Sequence, residues 1–426
     1  MSSVRLASES SHARATQLAR GLVVMMAISS PQYVWTLFLR YFLHSAGGGA
    51  AAVQVTFSLL IVLQTVFPPA QRGLFELFAP GRLVASGAAL TGLGWVLSAQ
   101  VSGLIPLYLT YGVLCGIGTG IVYVGVVGLM ARWFPDRRGF AIGVVAAGYG
   151  MGAMITTFPI AAMLDAYGAP ATLTAFGILL GGIGVIAALG LREPRPGETP
   201  AAPSTTRGRD VGPRTMLKTP IFKLMFAMMT MMSAGGLMVT SNFALFAYDF
   251  GVADVRVWGM AALPLALTID RLMNGFTRPF FGWVSDRIGR ENTMGVAFLL
   301  EAAAILLLLE FRGDPVAFVA LSGLVFFGWG EIFSLFPSTL TDTFGARHAT
   351  TNYSFLYVAQ GLGSVLGGPL AAALRSAAGS WTPVFLLAAG MDVLTALLAL
   401  FELKAMRRAY AAADAPSEEV RGSSLS

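Results

Sequence analysis

The feature that most constrains this chain is a series of long apolar segments with very few charged residues. An α-helix needs about 20 apolar residues to cross the hydrocarbon core of a bilayer. The 426-residue sequence contains twelve such segments, and each predicts a transmembrane helix. The predicted spans are residues 21–43, 52–70, 83–101, 105–130, 140–164, 171–191, 221–246, 258–283, 293–311, 316–340, 351–374 and 382–403.

The composition agrees with a chain that is surrounded by lipid. Hydrophobic residues make up 55% of the sequence and charged residues only 12%, against about 25% charged in soluble domains. Mean hydropathy is +0.70. The net charge is +6, but the basic residues lie between apolar runs and form no stripe, so no nucleic-acid partner is expected.

Cysteine and histidine usage excludes several classes of site. Cys115 is the only cysteine, which excludes an intramolecular disulfide. His12, His44 and His348 lie far apart in the sequence, so no metal site is expected. The sequence shows neither a Walker loop nor a catalytic constellation, so we expect no cofactor, no enzyme and no ATP-driven pump.

The apolar segments divide the chain into two halves. We predict an N-terminal tail at residues 1–20 without a cleavable signal, a six-helix half at 21–191, a linker at 192–219, a second six-helix half at 220–403 and a tail at 404–426. The linker is rich in Pro, Gly, Thr and Arg, which makes it too polar to span a membrane.

Basic residues predict the orientation. With both termini in the cytoplasm, 22 of the 28 Lys and Arg residues lie on that side, and four (Arg40, Arg256, Arg312 and Arg375) lie outside. This asymmetry follows the positive-inside rule. We expect a multi-pass protein of the plasma membrane (the inner membrane of a bacterium), with both termini and the linker cytoplasmic.

The two halves repeat each other at an offset near 210 residues. The clearest matches pair Gly118 with Gly328, Gly120 with Gly330 and Tyr123 with Phe333. Two six-helix halves in parallel repeat resemble the major facilitator transporters, whose substrate site lies near the bilayer midplane between the halves. The resemblance implies an all-α fold of twelve transmembrane helices that functions as a monomer in the lipid bilayer.

One loop carries this resemblance most specifically. The sequence GWVSDRIGR at residues 282–290 falls between the eighth and ninth spans and is similar to the signature loop of the superfamily. The predicted gating residues are Gly282, Asp286, Arg287, Gly289 and Arg290. The first-half copy, from Gly73 to Arg82, has Glu76 as its only acid, with Leu77 and Phe78 at the usual Asp-Arg positions, so we expect a weaker gate there. Alternatively, both loops merely follow the positive-inside rule.

Four further motifs resemble the oxalate:formate antiporter family and extend over almost the whole chain. They are SPQYVWTL (30–37), RWFPDRRG (132–139), NGFTRPF (274–280) and YSFLY (353–357). The resemblance implies that the chain exchanges small organic carboxylates.

Arg278 is the central predicted binding residue. It precedes Asp286 by eight residues, about 12 Å along a helix, which places it near mid-membrane. A charge there is costly and is usually functional, and a guanidinium matches a carboxylate with two parallel hydrogen bonds. The resemblance assigns this position to substrate binding. The alternative is a structural ion pair, with Glu331 as the partner or the carrier of a proton.

Asp270, Arg271 and Asn274 precede Arg278 on the same predicted helix. We interpret Asp270 and Arg271 as a charge pair near the outer mouth. The alternative makes Arg271 a second substrate arginine.

Polar-tipped side chains in apolar helices complete the predicted cavity. The resemblance places around the anion Gln32, Tyr33, Gln54, Tyr123, Tyr149, Trp329 and Tyr357. Two positions depart from the family pattern. Phe333 replaces an expected tyrosine, and Gln360 stands where oxalate-exchanging members carry a lysine. A dianion would then lack one counter-charge, worth about 4 kcal/mol at ~4 Å and an effective dielectric of 20.

Three hypotheses follow. The first is an exchanger of small carboxylates that prefers monoanions such as formate or lactate. The second is a proton-coupled monocarboxylate symporter, because Asn274 and Arg278 also resemble the eighth span of that family and Glu331 could carry the proton. The third is a membrane receptor that transports nothing.

Overall fold

The structure is a computed structural model that describes residues 2–47, 49–71, 74, 77–200, 210–240 and 242–412. Nearly all of this chain is helical, and one antiparallel hairpin pairs Arg256–Val257 with Met260–Ala261. The α-helices are Ser2–Ala27, Ser30–Tyr33, Trp35–Ser45, Ala50–Val66, Pro80–Ser98, Leu104–Leu107, Cys115–Trp133, Arg138–Leu189, Pro213–Met216, Pro220–Thr240, Phe243–Asp249, Ala262–Ile288, Arg290–Glu310, Pro315–Trp329, Ile332–Phe344, Ala349–Ala378, Thr382–Leu397 and Lys404–Ala412. A 3₁₀ turn forms Pro68–Gln71, and π-helical turns form Tyr108–Leu114 and Leu398–Leu403.

By length and apolarity, seven helices in the described chain could cross a membrane, or eight if one bent pair is a single span. Arg138–Leu189 contains the fifth and sixth predicted spans, which meet at Gly168 with a φ of 77°. The eighth span, Ala262–Ile288, is long enough to cross but carries Asp270, Arg271 and Arg278 within one stretch. Charged residues rarely occur there without a function.

The structure corrects the prediction of a continuous first span. The helix Ser2–Ala27 ends early, and the chain continues through Ser30–Tyr33 into Trp35–Ser45 with a bend of 47°. Pro31 explains the break, because proline lacks an N–H donor and its ring clashes with the carbonyl four residues earlier. The 47° bend itself falls at Val34, two residues after Gln32. The tenth span is also interrupted, at Gly330 and Glu331.

The buried core shows how the halves are joined. The largest apolar cluster takes residues from both halves, for example Val126 of the fourth span and Leu335 of the tenth. The other two clusters each belong to one half, around Phe38 in the first and Phe246 in the second. The halves therefore share one core at the Asp286 end and separate towards the opposite end.

Large apolar side chains also cover the outer surface. Phe158, Ile186 and Phe401 are 81%, 77% and 70% exposed. A soluble protein would lose solubility with many such residues on its surface, whereas lipid solvates them.

The predicted linker is partly packed against the second half. The backbone N–H of Val211 donates to the carbonyl of Phe344, and that of Arg347 donates to Asp210. Residues 201–209 of the linker and 413–426 of the C-terminal tail lie outside the described residues.

Candidate functional site

A cavity of about 660 Å³ lies between the two halves. It is closed towards the Asp286 end, where the halves share their core, and its walls continue through Phe57 and Val365 towards the opposite end. The structure brings ten predicted binding residues to its wall. They are Gln32, Tyr33, Tyr123, Tyr149, Asn274, Arg278, Trp329, Phe333, Tyr357 and Gln360.

The eighth span holds Arg278 at the inner end of this cavity. Its side chain is 2% exposed. One terminal nitrogen donates to the carbonyl of Ala146 at 2.6 Å and the other to Asn274 Oδ1 at 2.8 Å. The guanidinium carbon lies 4.5 Å from the centre of the Phe333 ring. Gly143 makes this position possible, because a Cβ there would lie 2.2 Å from the carbonyl oxygen of Arg278.

Arg278 has no carboxylate partner within the described chain. No ion pair joins it to Glu331 or to any other described acid, and its Nε has no hydrogen-bond partner. The structural ion pair with Glu331 that the sequence left open is therefore absent from this conformation. Glu331 lies behind the cavity wall, between Trp329 and Phe333, which both line the cavity.

Hydroxyl and amide groups form a network on the first-half wall. The Tyr149 hydroxyl donates to Gln32 Oε1 at 2.5 Å and lies 3.2 Å from Gln64 Oε1. Gln64 Nε2 donates to the hydroxyl of Tyr357, in the second half, at 3.0 Å. The Tyr357 ring stacks on Tyr123 with centroids 4.8 Å apart. This network connects the two halves across the cavity.

The prediction that Gln54 lines the cavity is wrong. Gln54 is exposed and accepts a hydrogen bond from Trp35 Nε1 at 3.2 Å on another face of the second span. Gln64, ten residues later, faces the cavity instead, and the sequence analysis missed it. The sequence feature that could have pointed to Gln64 is a glutamine near the inner end of an apolar helix, because a buried amide there needs hydrogen-bond partners.

Asp270 and Arg271 both line the cavity, but they form no salt bridge with each other. Asp270 is 1% exposed and lies beside Ser322. The Arg271 guanidinium is turned towards the first half, 5.8 Å from the centre of the Tyr33 ring. The two side chains are neighbours without a direct salt bridge, and Arg271 places a second cation at the cavity.

Gln360 and Phe333, the two departures from the family pattern, also reach the cavity. Gln360 Oε1 accepts a hydrogen bond from the Ser233 hydroxyl. Phe333 offers the face of its ring to Arg278 in a cation–π contact. Both positions therefore hold neutral side chains at the cavity wall.

The Asp286 end is closed by a clamp between the halves, formed by Asp286, Arg290 and Asp342 of the second half and Arg138 and Gly139 of the first. Asp286 pairs with Arg290 at 2.6 Å and accepts from the backbone N–H of Gly139 at 3.0 Å. Asp342 binds Arg138 at 2.6 Å and Arg290 at 2.8 Å. The sequence analysis missed Asp342, a lone acid at the end of an apolar span.

The other predicted gating residues do not form ion pairs in the clamp. A Cβ on Gly282 would lie 2.1 Å from the carbonyl oxygen of Gly139, so the two helices meet backbone to backbone. Gly289 adopts a φ of +93°, which suits glycine at a helix junction. Arg287 is exposed and lies on the Trp283 ring at 3.8 Å, outside the clamp. Gly73 and Glu76 of the first-half copy lie outside the described residues.

Known proteins match this chain along most of its length. The sequence profile of the Major Facilitator Superfamily matches residues 20–269 and 258–423. The chain is 34% identical over 394 residues to the oxalate:formate antiporter of Oxalobacter formigenes, covering 92% of each chain. It is 26% identical to monocarboxylate transporter 13 of Bos taurus, covering 82% of this chain and 80% of that one.

Two solved structures share the fold at low identity. The superfamily transporter FucP in the outward conformation has a TM-score of 0.66 and 14% identity, covering 92% of this chain and 98% of that one. The proton:xylose symporter XylE has a TM-score of 0.68 and 14% identity, covering 93% and 99%. The relatives are transporters and not enzymes. The chain belongs to the major facilitator superfamily and, within it, to the family of the oxalate:formate antiporter.

Proposed function

We propose that this chain transports small organic carboxylates by alternating access, binds the carboxylate at Arg278 and prefers monocarboxylates. The observation that carries the proposal is a guanidinium 2% exposed at a cavity wall, with no acidic partner in the described chain. A buried cation without a counter-ion is costly. A carboxylate entering the cavity supplies that counter-ion, and its planar shape matches the guanidinium.

The charges of the cavity wall support the preference for monoanions. Arg278 balances one carboxylate, and its ring neighbour Phe333 is uncharged. Gln360, at the position where the oxalate-exchanging family members carry a lysine, adds a neutral amide to the same wall. Gln360 and Phe333 contribute no further charge.

The clamp and the cavity support alternating access. With the clamp closed, the cavity is sealed at the Asp286 end, so release on that side requires the clamp to open. The name of the Oxalobacter relative supports exchange of one carboxylate for another, and that of the bovine relative supports monocarboxylates as the class. Exchange needs only a carboxylate site that is reachable from each side in turn.

Substitution of Arg278 tests the proposal. Proteoliposomes loaded with formate should take up labelled formate or lactate. Arg278→Gln should abolish this exchange, and Arg278→Lys should retain under about a tenth, because a point charge cannot reproduce the two parallel hydrogen bonds. The matched control is Arg287→Gln, which removes an exposed arginine of the same helix.

A binding measurement separates lost function from lost folding. Ligand at about 100 times its Kd stabilises the folded protein by about 2.7 kcal/mol, so wild-type protein should melt at a higher temperature with formate. Without ligand, Arg278→Gln should have the same melting temperature as the wild type, and formate should not raise it. Near-normal uptake by Arg278→Gln at equal expression would show that Arg278 is structural.

A further inference from the structure

Gly150 of the fifth span lies beside the guanidinium of Arg278 at the inner end of the cavity. It is buried in the helix Arg138–Leu189 and lines the cavity. A Cβ at this position would lie 3.4 Å from Cζ and Nη2 of Arg278 and 3.5 Å from Asn274 Oδ1. The absent side chain therefore leaves an open position next to the guanidinium to which the proposed function assigns the carboxylate.

Helix packing does not require a glycine at this position. Distances of 3.4 to 3.5 Å are ordinary van der Waals contacts. A Cβ on Gly143, two turns earlier, would instead lie 2.2 Å from the carbonyl oxygen of Arg278. At the level of Gly150 the fifth and eighth spans are kept apart by the next residue, because a Cβ on Gly275 would lie 2.1 Å from Met151 Cγ. An alanine at position 150 therefore fits without moving either helix.

Backbone conformation does not require this glycine either. Gly150 lies inside a helix and is not among the described glycines with positive φ. Glycine destabilises a helix relative to alanine, because the unfolded chain has more conformations to lose at that residue. A helical glycine without a packing or a φ requirement has a reason where a ligand must approach the backbone closely. The cavity and the free donors of Arg278 place such a ligand next to Gly150.

Arg278 keeps N–H donors for that ligand. Its terminal nitrogens donate to the carbonyl of Ala146 and to Asn274 Oδ1. Each terminal nitrogen carries a second N–H, and Nε has no hydrogen-bond partner in the described chain. The Phe333 ring packs against the guanidinium, with its centre 4.5 Å from Cζ. The neighbouring position at Gly150 holds no side chain at all.

The rest of the cavity is too wide to select small acids by size. Its volume of about 660 Å³ falls in the range of about 300 to 1,000 Å³ that binds drug-sized ligands. Formate, acetate and lactate are far smaller. A limit on the size of a small carboxylate must therefore come from the immediate surroundings of Arg278.

We propose that Gly150 is a specificity-determining residue, whose open position receives the carbon group attached to a carboxylate on Arg278. The site then accepts monocarboxylates of two or three carbons, such as acetate and lactate, as well as formate. This inference rests on the proposed function and adds a size limit to it. Gly150 itself makes no bond to the ligand. It acts by leaving space.

Gly150→Ala tests the inference by the relative affinity for acids of different size. Calorimetry on purified protein measures the Kd of sodium formate, acetate and lactate. Formate carries only a hydrogen on its carboxyl carbon, so the variant should bind it about as the wild type does. Acetate and lactate should weaken relative to formate about tenfold or more, a change that one methyl group commonly makes in a closely fitting site. The matched control is Gly182→Ala, a helical glycine of the sixth span whose Cβ position has no atom within 4 Å.

The possible results separate a ligand role from a structural one. An unchanged ratio of lactate to formate affinity in Gly150→Ala overturns the inference and leaves the proposed function intact. Equal weakening of all three acids also overturns it. Slower exchange in proteoliposomes with an unchanged affinity ratio overturns it too, because the glycine then serves the movement of the helices. Failure of the wild type to bind any carboxylate instead overturns the proposed function.

A series of branched acids tests the size limit on the wild-type protein. Pivalate carries its methyl groups on the carbon next to the carboxylate, whereas isovalerate branches one carbon further away. Because the limiting space adjoins Arg278, pivalate should bind about tenfold or more weakly than isovalerate. Equal affinity for the two acids overturns the inference. This comparison needs no variant, so it decides the matter even where Gly150→Ala does not fold.

Discussion

The carboxylate of Asp286 accepts a hydrogen bond from the backbone N–H of Gly139 at 3.0 Å, across the boundary between the halves. The next N–H, of Phe140, donates to the other oxygen at 2.9 Å. Both N–H groups belong to the first turn of Arg138–Leu189, where the helix dipole attracts an anion. Asp286 therefore caps a helix of the opposite half, and this contact exists only while that end is closed.

Removing the charge of Asp286 should favour opening at this end. Asp286→Asn weakens the helix cap and the ion pair with Arg290, about 1 to 3 kcal/mol in all, which shifts the ratio of open to closed protein about five- to 150-fold. Position 350 can report this opening, because Thr350 is buried against Gly128 of the first half and becomes accessible when the halves separate. In a background with Cys115 replaced by alanine, Thr350→Cys should react faster with a maleimide once Asp286→Asn is added.

Arg287→Gln is the control for the clamp. Arg287 follows Asp286 in the sequence but lies on Trp283, outside the contact between the halves. Its removal should leave the labelling rate of Thr350→Cys unchanged. Equal rates in Asp286→Asn and Arg287→Gln would show that Asp286 does not hold the closed state.

The sequence predicts the fold well because hydropathy and the repeat act over whole spans. It predicts the site less well, because the direction of one side chain depends on how its helix packs. Gln54 and Gln64 illustrate this limit: both are glutamines of the second span, and only packing distinguishes the one beside Trp35 from the one beside Tyr357. Arg278 is conspicuous in the sequence because a charged residue in the middle of an apolar span is unusual whichever way its side chain points.

Gln64 lines the cavity and Gln54 does not, so substitutions of these two residues make a matched pair of variants. Gln64→Leu removes the amide between Tyr149 and Tyr357, and the two buried hydroxyls lose partners at a cost of about 1 to 3 kcal/mol. Formate binding should weaken about tenfold if these hydroxyls help to shape the site. Gln54→Leu should bind formate as the wild type does. Calorimetry on both purified variants measures the difference, and an equal loss in both would contradict the assignment.

The orientation predicted from basic residues can be tested at two exposed positions. In the Cys115→Ala background, Gly313→Cys lies between the ninth and tenth spans, and Arg195→Cys lies in the linker. A membrane-impermeant maleimide added to intact cells should label Gly313→Cys and spare Arg195→Cys until the membrane is permeabilised. Labelling of Arg195→Cys in sealed cells would reverse the proposed topology.

We expect the side chain at position 360 to influence whether the cavity prefers monoanions or dianions. It lines the cavity with a neutral amide, so we expect the wild type to bind formate and lactate better than oxalate. Gln360→Lys places a cation near the second carboxylate of oxalate. The gain is smaller than the full Coulomb energy, because the lysine is itself desolvated in the empty cavity. We expect a shift of about 1 to 2 kcal/mol, roughly five- to thirtyfold in relative affinity.

Arg271 is the competing second cation, because it lines the same cavity and makes no salt bridge with Asp270. If ionised Asp270 offsets its charge, Arg271→Gln should weaken formate, lactate and oxalate to a similar degree, since the cavity then loses one unit of positive charge for every anion. If Arg271 instead binds the second carboxylate of a dianion, its removal should weaken oxalate selectively. Competition binding of the three anions to wild type, Gln360→Lys and Arg271→Gln separates these cases. Tight oxalate binding that survives Gln360→Lys unchanged and disappears in Arg271→Gln would identify Arg271 as the dianion site and contradict the preference for monocarboxylates.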